Sequence, residues 1–512
     1  MTVCSIARRM LVGTLLAIAV VGGAGVGQTS AEAAEHTYVA RRVLIVSLPG
    51  VAWTDLRESN MPHLKALIAQ SAVANMAVRV TGLSTAPGNG YATLGSGTRA
   101  VAPALIAGAA FGQLELLEAG TAAEAFARRS GRPLAGAIGQ VNTNALRDNN
   151  SSSSFGGELG ALGDRLAEGG VSRGVVGNAD WALRFVGTTD LPRREAALAL
   201  MDQHGEVPCG VVDQSLLVKD ADYAFGLRLD HDRVISAFSH CWRGRSVVLV
   251  EASDLRRADD YRAFVSSERS DVIEKQALEN ADSLVGQLLD SVDLERDAVV
   301  VVAPSSRSGR VAHLNLFAVH APRMGTGLLR SSVTRQNSFV SIVDVAPTVA
   351  ALAGTPQDEG EVEGRPVTIS RRGGTPEGRL ETLVDANTDA VFRDRILFPF
   401  AATFITLQIV LSAVFAWSLW KTRKFPVVIE IGTLALLACL PLTYWAALMP
   451  FSEWGYPAYF SFTLGGAVCI AMALHRWARH PLLPLTILLG AIIATAAISV
   501  MILDSRLQLS TV

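Results

Sequence analysis

Charge is scarce in this chain. Of its 512 residues only 18% are Asp, Glu, Lys or Arg, while 50% are hydrophobic; ordinary globular domains carry about 25% charged residues. That shortfall excludes intrinsic disorder and points to membrane segments. The formal net charge is −2, so no global basic field draws the chain to nucleic acid, and no nucleic-acid partner is expected. Lysine is nearly missing: only five of the 45 basic residues are Lys, which reads as coding bias. Five cysteines exclude a disulfide scaffold, and no CxxC or Cys/His spacing suggests zinc. No internal repeat is present.

Long apolar runs, by contrast, stand at both ends. Arg8-Arg9, an apolar stretch to about Gly27 and Ala31-Glu32-Ala33 follow the order of a secretory signal. Cleavage near Ala33 or Ala34, or retention as an anchor, would in either case export the downstream chain. After Arg395 come four apolar segments, about Leu397–Trp420, Val427–Met449, Tyr456–Leu474 and Leu482–Leu503. Each has the roughly 20 residues that cross a bilayer core. Lys421, Arg423 and Lys424 mark the first connection, and His475, Arg476, Arg479 and His480 the third. The second holds only Glu453. Basic loops on alternate connections place residues 35–395 outside the cell membrane. Arg393 and Arg395 on that outer side are a small discord. Glu430 lies near the first basic loop and is expected to reach the interface.

Between the ends, short β-branched runs alternate with helical periodicity. Val43–Ser47, Gly174–Val176, Ser246–Val250, Ala298–Val302 and Asn315–Val319 read as strands; Asp271–Leu289 and Phe339–Leu352 read as helices. Asn149-Asn150 with Ser151–Ser154 reads as a flexible loop. This alternation predicts an α/β fold with a mainly parallel sheet flanked by helices, followed by an all-α bundle of four transmembrane helices. The expected division is a signal (1–34), an exported domain (35–354), a linker and membrane-proximal segment (355–395), four spans (396–504) and a short outer tail (505–512). Ligands of such sheets sit beyond the carboxyl ends of the strands, so the turns after Val46, Val250 and Val302 carry the candidate chemistry.

Four places resemble the alkaline phosphatase superfamily, which includes sulfatases, nucleotide pyrophosphatases and cofactor-independent phosphoglycerate mutase. They are the first strand with its Pro49-Gly50 turn, Asn60-Met61-Pro62-His63-Leu64, the Ala92–Arg99 segment, and Val343-Asp344-Val345-Ala346-Pro347-Thr348. The resemblance implies two metal ions held by Asp and His beside a Ser or Thr nucleophile, the cations stabilising attacking and leaving oxygens. This chain departs from that pattern. Leu48-Pro49 replace the Asp after the first strand, Ala303-Pro304-Ser305-Ser306 replace an Asp-His-Gly, and Ala258 stands at a His position, followed by Asp259 and Asp260. Asp254 and His313 are the two ligands carried over, and a catalytic zinc needs three. Zinc or manganese is the cofactor implied if any metal site survives. Pro87 takes the mutase nucleophile position, leaving Thr85 and Ser84 as candidate nucleophiles.

Gly88, Asn89 and Gly90, with Arg99, form a candidate anion-binding segment at a helix start; glycines that allow close packing are the alternative. Arg256-Arg257 beside Asp259-Asp260 reads as a solvated helix face. Arg307 and Arg310 are available to a phosphate or sulfate. Cys209 and Cys241 are candidates for a disulfide, which an exported compartment permits. The expected function is a membrane-anchored extracytoplasmic protein with a catalytically degenerate domain, acting as an envelope binding or scaffold protein. The alternatives are an active metal-dependent phosphoester hydrolase or phosphotransferase on an envelope substrate, and a subunit of a membrane transport or assembly complex. The expected partners are the lipid bilayer and a membrane protein seated on the helices, where Gly465-Gly466-Ala467 permits close packing.

Overall fold

The computed structural model describes residues 38–501 apart from 83, 183–190, 309–312, 335, 357–359, 361, 422–425, 479 and 481. The expected signal (1–34), Arg310 and the tail (505–512) lie outside these residues. From Val39 onward the described chain forms one compact unit.

Apolar runs buried on both faces set the middle of a ten-stranded sheet. In chain order its strands are β1 (Arg42–Ser47), β2 (Ala72–Ala77), β3 (Ser172–Val176), β4 (Cys209–Val211), β5 (Ser246–Glu251), β6 (Ala298–Val302), β7 (Asn315–His320), β8 (Gly327–Arg330), β9 (Phe339–Ser341) and β10 (Thr368–Arg372). The spatial order is β10-β8-β2-β7-β6-β1-β5-β3-β4, with β9 also paired to β2. β1 pairs in parallel with β5 and β6. The sheet is mixed but mainly parallel: β7 runs antiparallel between β6 and β2, and β10 antiparallel to β8, while the other eight strands run one way. Because β7 reverses direction, β2 and β6 point the same way. The carboxyl ends of β1, β2, β3, β5 and β6 therefore share one edge.

Helices cover the sheet: α1 (Trp53–Glu58), α2 (Pro62–Ala69), α3 (Pro87–Ser96), α4 (His231–Cys241), α5 (Ser253–Tyr261), α6 (Ser267–Leu289) and α7 (Val345–Leu352). Leu44, Val46, Val248, Val250, Val299 and Val301 bury one face against Leu64 and Leu67 of α2 and Leu284 and Leu288 of α6. Each such fully buried side chain contributes about 1.5–3 kcal/mol of transfer free energy. Asp282 on α6 accepts the His63 and Leu64 N–H groups at 3.2 and 2.8 Å, so the start of α2 is capped across the core. Asp344 accepts from Ser341 and Arg365 N–H at 2.8 and 2.9 Å, which gives the Val343–Thr348 motif a structural task. The helix expected over Phe339–Leu352 begins with strand β9, because three residues are too few to reveal a period. Of the loop expected at Asn149–Ser154, the first three residues end a helix, Thr143–Ser151, tied by Asn150 to the Val101 N–H at 2.8 Å, and the last three form a turn. Cys209 and Cys241 form a disulfide that joins β4 to the end of α4.

The membrane region begins with α8 (Pro376–Lys421), a helix of 46 residues, and continues with α9 (Val427–Ala446), α10 (Phe451–Phe460), α11 (Gly466–Trp477) and α12 (Leu483–Met501). Three helical stretches, Pro376–Lys421, Val427–Ala446 and Phe451–Trp477, are long and apolar enough to cross a bilayer. The fourth expected span, about Leu482–Leu503, is described only in part, as a shorter apolar helix. Glu430 pairs with His475 at 3.1 Å, which brings the two basic connections to the same end of the bundle. At the other end Asp389 bonds Ser452 at 2.5 Å and Arg393 donates to the Ala447 carbonyl at 3.2 Å.

Candidate functional site

The shared carboxyl edge is packed with polar side chains held by strand ends. β1 ends at Ser47 and β5 at Glu251, both buried, and α3 brings Tyr91 over them. The Tyr91 hydroxyl donates to Glu251 Oε1 at 2.5 Å and lies 2.6 Å from Ser47 Oγ; Ser253 Oγ bonds Glu251 Oε2. Burial pushes the Glu251 carboxyl upward against the pull of Ser253 and Tyr91. Burial, reinforced by the charge of Glu251, raises the Tyr91 phenol well above its ordinary value. Glu195, the first residue of a short 3-10 helix (Glu195–Ala199), is pushed up to about 7 by burial, with Arg256 acting in the opposite direction.

Around this core each acidic group has an internal cation. Asp254 on α5 is bonded by the fully buried Arg257, by the Leu229 N–H at 3.1 Å and by Asn280 Nδ2 at 2.6 Å. Arg257 also donates to the Asn178 carbonyl. Asp260 takes Arg256 at 2.8 Å and Arg193 at 3.0 Å, and Arg193 lies 3.2 Å above the Trp181 ring. Arg307, in the turn after β6, bridges Asp55 at 2.8 Å and Glu274. Asp55 in addition accepts the Ala52 N–H at 2.8 Å at the start of α1. The helix-face reading of Arg256-Arg257 is thereby corrected: Arg257 is in the core.

Of the remaining predicted residues, Thr85, Asn89 and Arg99 are hydrogen-bonded within the chain. Thr85 is buried; its N–H donates to Ser306 Oγ at 3.0 Å, its carbonyl accepts the Ser306 N–H at 2.9 Å, and its hydroxyl accepts from Val80 N–H at 3.3 Å. Ser84 is exposed beside it. A Cβ at Gly88 would fall 2.6 Å from the Ala102 carbonyl oxygen, and one at Gly90 2.0 Å from that of Pro304. Both glycines therefore let α3 pack closely. Asn89 accepts the Ala102 N–H at 2.8 Å, and Arg99 is paired with Glu363 at 2.5 Å. His313 is half-buried just before β7. β1 and β6 separate β7 from β5, the strand that leads to Asp254, a lateral offset of three strand spacings or about 14 Å.

A pair of catalytic metal ions does not fit this donor set. Leu48, fully buried, and Ala303-Pro304-Ser305 offer no side-chain ligand of the required kind at the ends of β1 and β6. Asp254 is already paired with Arg257, and Asp55 and Glu274 with Arg307, while Glu251 is bonded by Tyr91 and Ser253. Among the described residues no three His, Cys, Asp or Glu side chains gather as a metal would need. The sequence reading missed Tyr91, Glu251, Glu195 and the Asp254–Arg257 bond. The i, i+3 spacing of the last pair was a visible signal, equally at home on a wet surface.

No protein-family model and no curated protein matches the chain. Solved structures with a similar arrangement, all of alkaline-phosphatase-superfamily fold, include three examples. The lipoteichoic acid synthase LtaP from Listeria monocytogenes is 10% identical, with TM-score 0.39 over 64% of this chain and 75% of that one. Alkaline phosphatase from the Antarctic bacterium TAB5 is 8% identical, with TM-score 0.35 over 62% and 100%. A murine ectonucleotide pyrophosphatase/phosphodiesterase in complex with AMP is 10% identical, with TM-score 0.30 over 67% and 99%. Likeness of this degree carries no argument about chemistry.

Proposed function

We propose that this chain is a membrane-anchored envelope protein whose α/β domain keeps a phosphatase-like frame without metal-dependent hydrolysis, and serves as a binding or scaffold component outside the cell membrane. One observation carries the reading: Asp254, the most plausible surviving ligand, has its carboxylate filled by Arg257, Asn280 and the Leu229 N–H. A carboxylate so engaged has little acceptor capacity left for a metal ion, and stripping it from a buried guanidinium costs several kcal/mol. The signal-like start and the alternating loop charges support the outer location.

The test is elemental analysis of the full chain in detergent, paired with phosphomonoester and phosphodiester assays. Well below one zinc or manganese per chain, with turnover no higher than that of Asp254→Ala, is expected. Stoichiometric metal with turnover abolished by Asp254→Ala would overturn the reading.

A further inference from the structure

The helix that enters the membrane also reports how the sheet stands on it. α8 lies along β2 and contacts it in order. Arg379 donates to the Ile68 and Ala69 carbonyls at 3.3 and 2.8 Å, just before the amino end of β2. Asn75, in the middle of β2, donates to the Leu383 carbonyl at 2.9 Å. Asn387 accepts the Leu314 N–H at 2.8 Å, at the start of antiparallel β7 and hence at the carboxyl edge. Arg79, two residues past the end of β2, reaches Asp394 at 3.9 Å. Leu383, Val384, Asn387 and Ala390 are buried, whereas Leu397 and Phe398 are 48% and 81% exposed, as a lipid-facing surface would be.

The order of these contacts gives a direction. α8 runs from the amino edge of the sheet to its carboxyl edge and then, without a break, into the apolar span. At 1.5 Å per residue, Asp394 stands about 5 Å and Asn387 about 15 Å before Leu397. The polar layer on each side of a bilayer core is roughly 5–8 Å thick. Arg79 and its neighbours therefore reach the headgroup layer, and the edge bearing Tyr91, Thr85 and Arg307 is turned toward it. Arg79 and Arg395 are exposed cations at this level, with Asp389 and Asp394 as the nearby carboxylates. Of the two basic residues that looked out of place on the outer side, Arg393 is bonded to the Ala447 carbonyl and Arg395 is left exposed at this level.

We propose that the carboxyl edge of the sheet is held face down on the bilayer, and that its partner is the anionic phosphate headgroup surface of that leaflet. The interaction is electrostatic and interfacial, with Arg79 and Arg395 as its contacts and α8 as its support.

The test uses the full chain in vesicles of phosphatidylcholine and phosphatidylglycerol that carry a headgroup-attached quencher. Cys4, Cys439 and Cys469 are replaced by Ala, and one fluorophore is placed at Ser84→Cys (carboxyl edge) or Ser172→Cys (amino edge of β3). At least threefold stronger quenching at position 84 is expected, reduced by Arg79→Glu with Arg395→Glu in the same vesicles. Equal quenching at the two positions, or stronger quenching at 172, overturns the orientation. Quenching unchanged by the double substitution overturns the headgroup contact. The readout involves neither metal nor turnover, so it stands or falls separately from the non-hydrolytic reading.

Discussion

Arg257 is the residue on which the candidate site turns. Its side chain is fully buried and its main partners are Asp254 and the Asn178 carbonyl. Removing one member of such a pair leaves an uncompensated charge in the core, a loss of about 3–5 kcal/mol. Arg257→Ala should therefore lower the denaturation midpoint of the full chain sharply. Asp254→Asn combined with Arg257→Met should recover much of that loss, since no lone charge is left behind. Equal melts for Arg257→Ala and the parent chain would mean that the pair is solvated. Glu195 makes a second, signed prediction. Its native value of about 7 lies above the ordinary 4.5, so the native chain holds the proton more tightly than the unfolded one. Stability from this group is complete below about pH 4.5 and is lost as pH rises through 7. Asp344, pushed up to about 6 by burial, acts in the same direction. The melting midpoint should fall between pH 5 and pH 8, and Glu195→Gln should flatten that slope.

Elements were legible where burial writes a clear pattern. β1, β5 and β6 were readable because continuous β-branched runs have few other homes. β2 was missed: Ala72–Ala77 has one β-branched residue, and its place in the sheet comes from pairing with β7 and β9, which no local pattern shows. The reversal at β7 escaped for the same reason, because strand direction is a property of partners. The Gly-rich segment at α3 illustrates the limit for the site. Glycines beside a helix start are the same letters whether they cradle an anion or admit a neighbour, and here a carbonyl occupies the space. Gly90→Ala should thus cost about 1–3 kcal/mol through overpacking on Pro304, read as a shift in urea midpoint. Cys241→Ser, which opens the link between β4 and α4, should cost about 3 kcal/mol in the same assay. No change on adding reductant to the parent chain would contradict that bond.

At the scale of the whole molecule, a sheet domain and an apolar helical bundle share one helix, α8, and the proposed mounting turns the carboxyl edge of the domain toward the bilayer. Three helices long and apolar enough to cross a bilayer, and a shorter apolar fourth, follow a sheet edge rich in arginine–carboxylate pairs. The central claim is that this edge is held together by the chain's own guanidinium groups. The melting midpoint of the full chain in detergent, with excess chelator and then with added zinc, tests it most directly. A midpoint unchanged within about 1 °C in both is predicted. Native-state metal at a thousand times its dissociation constant would add about 4 kcal/mol, and a fall of several degrees on chelation would contradict the account.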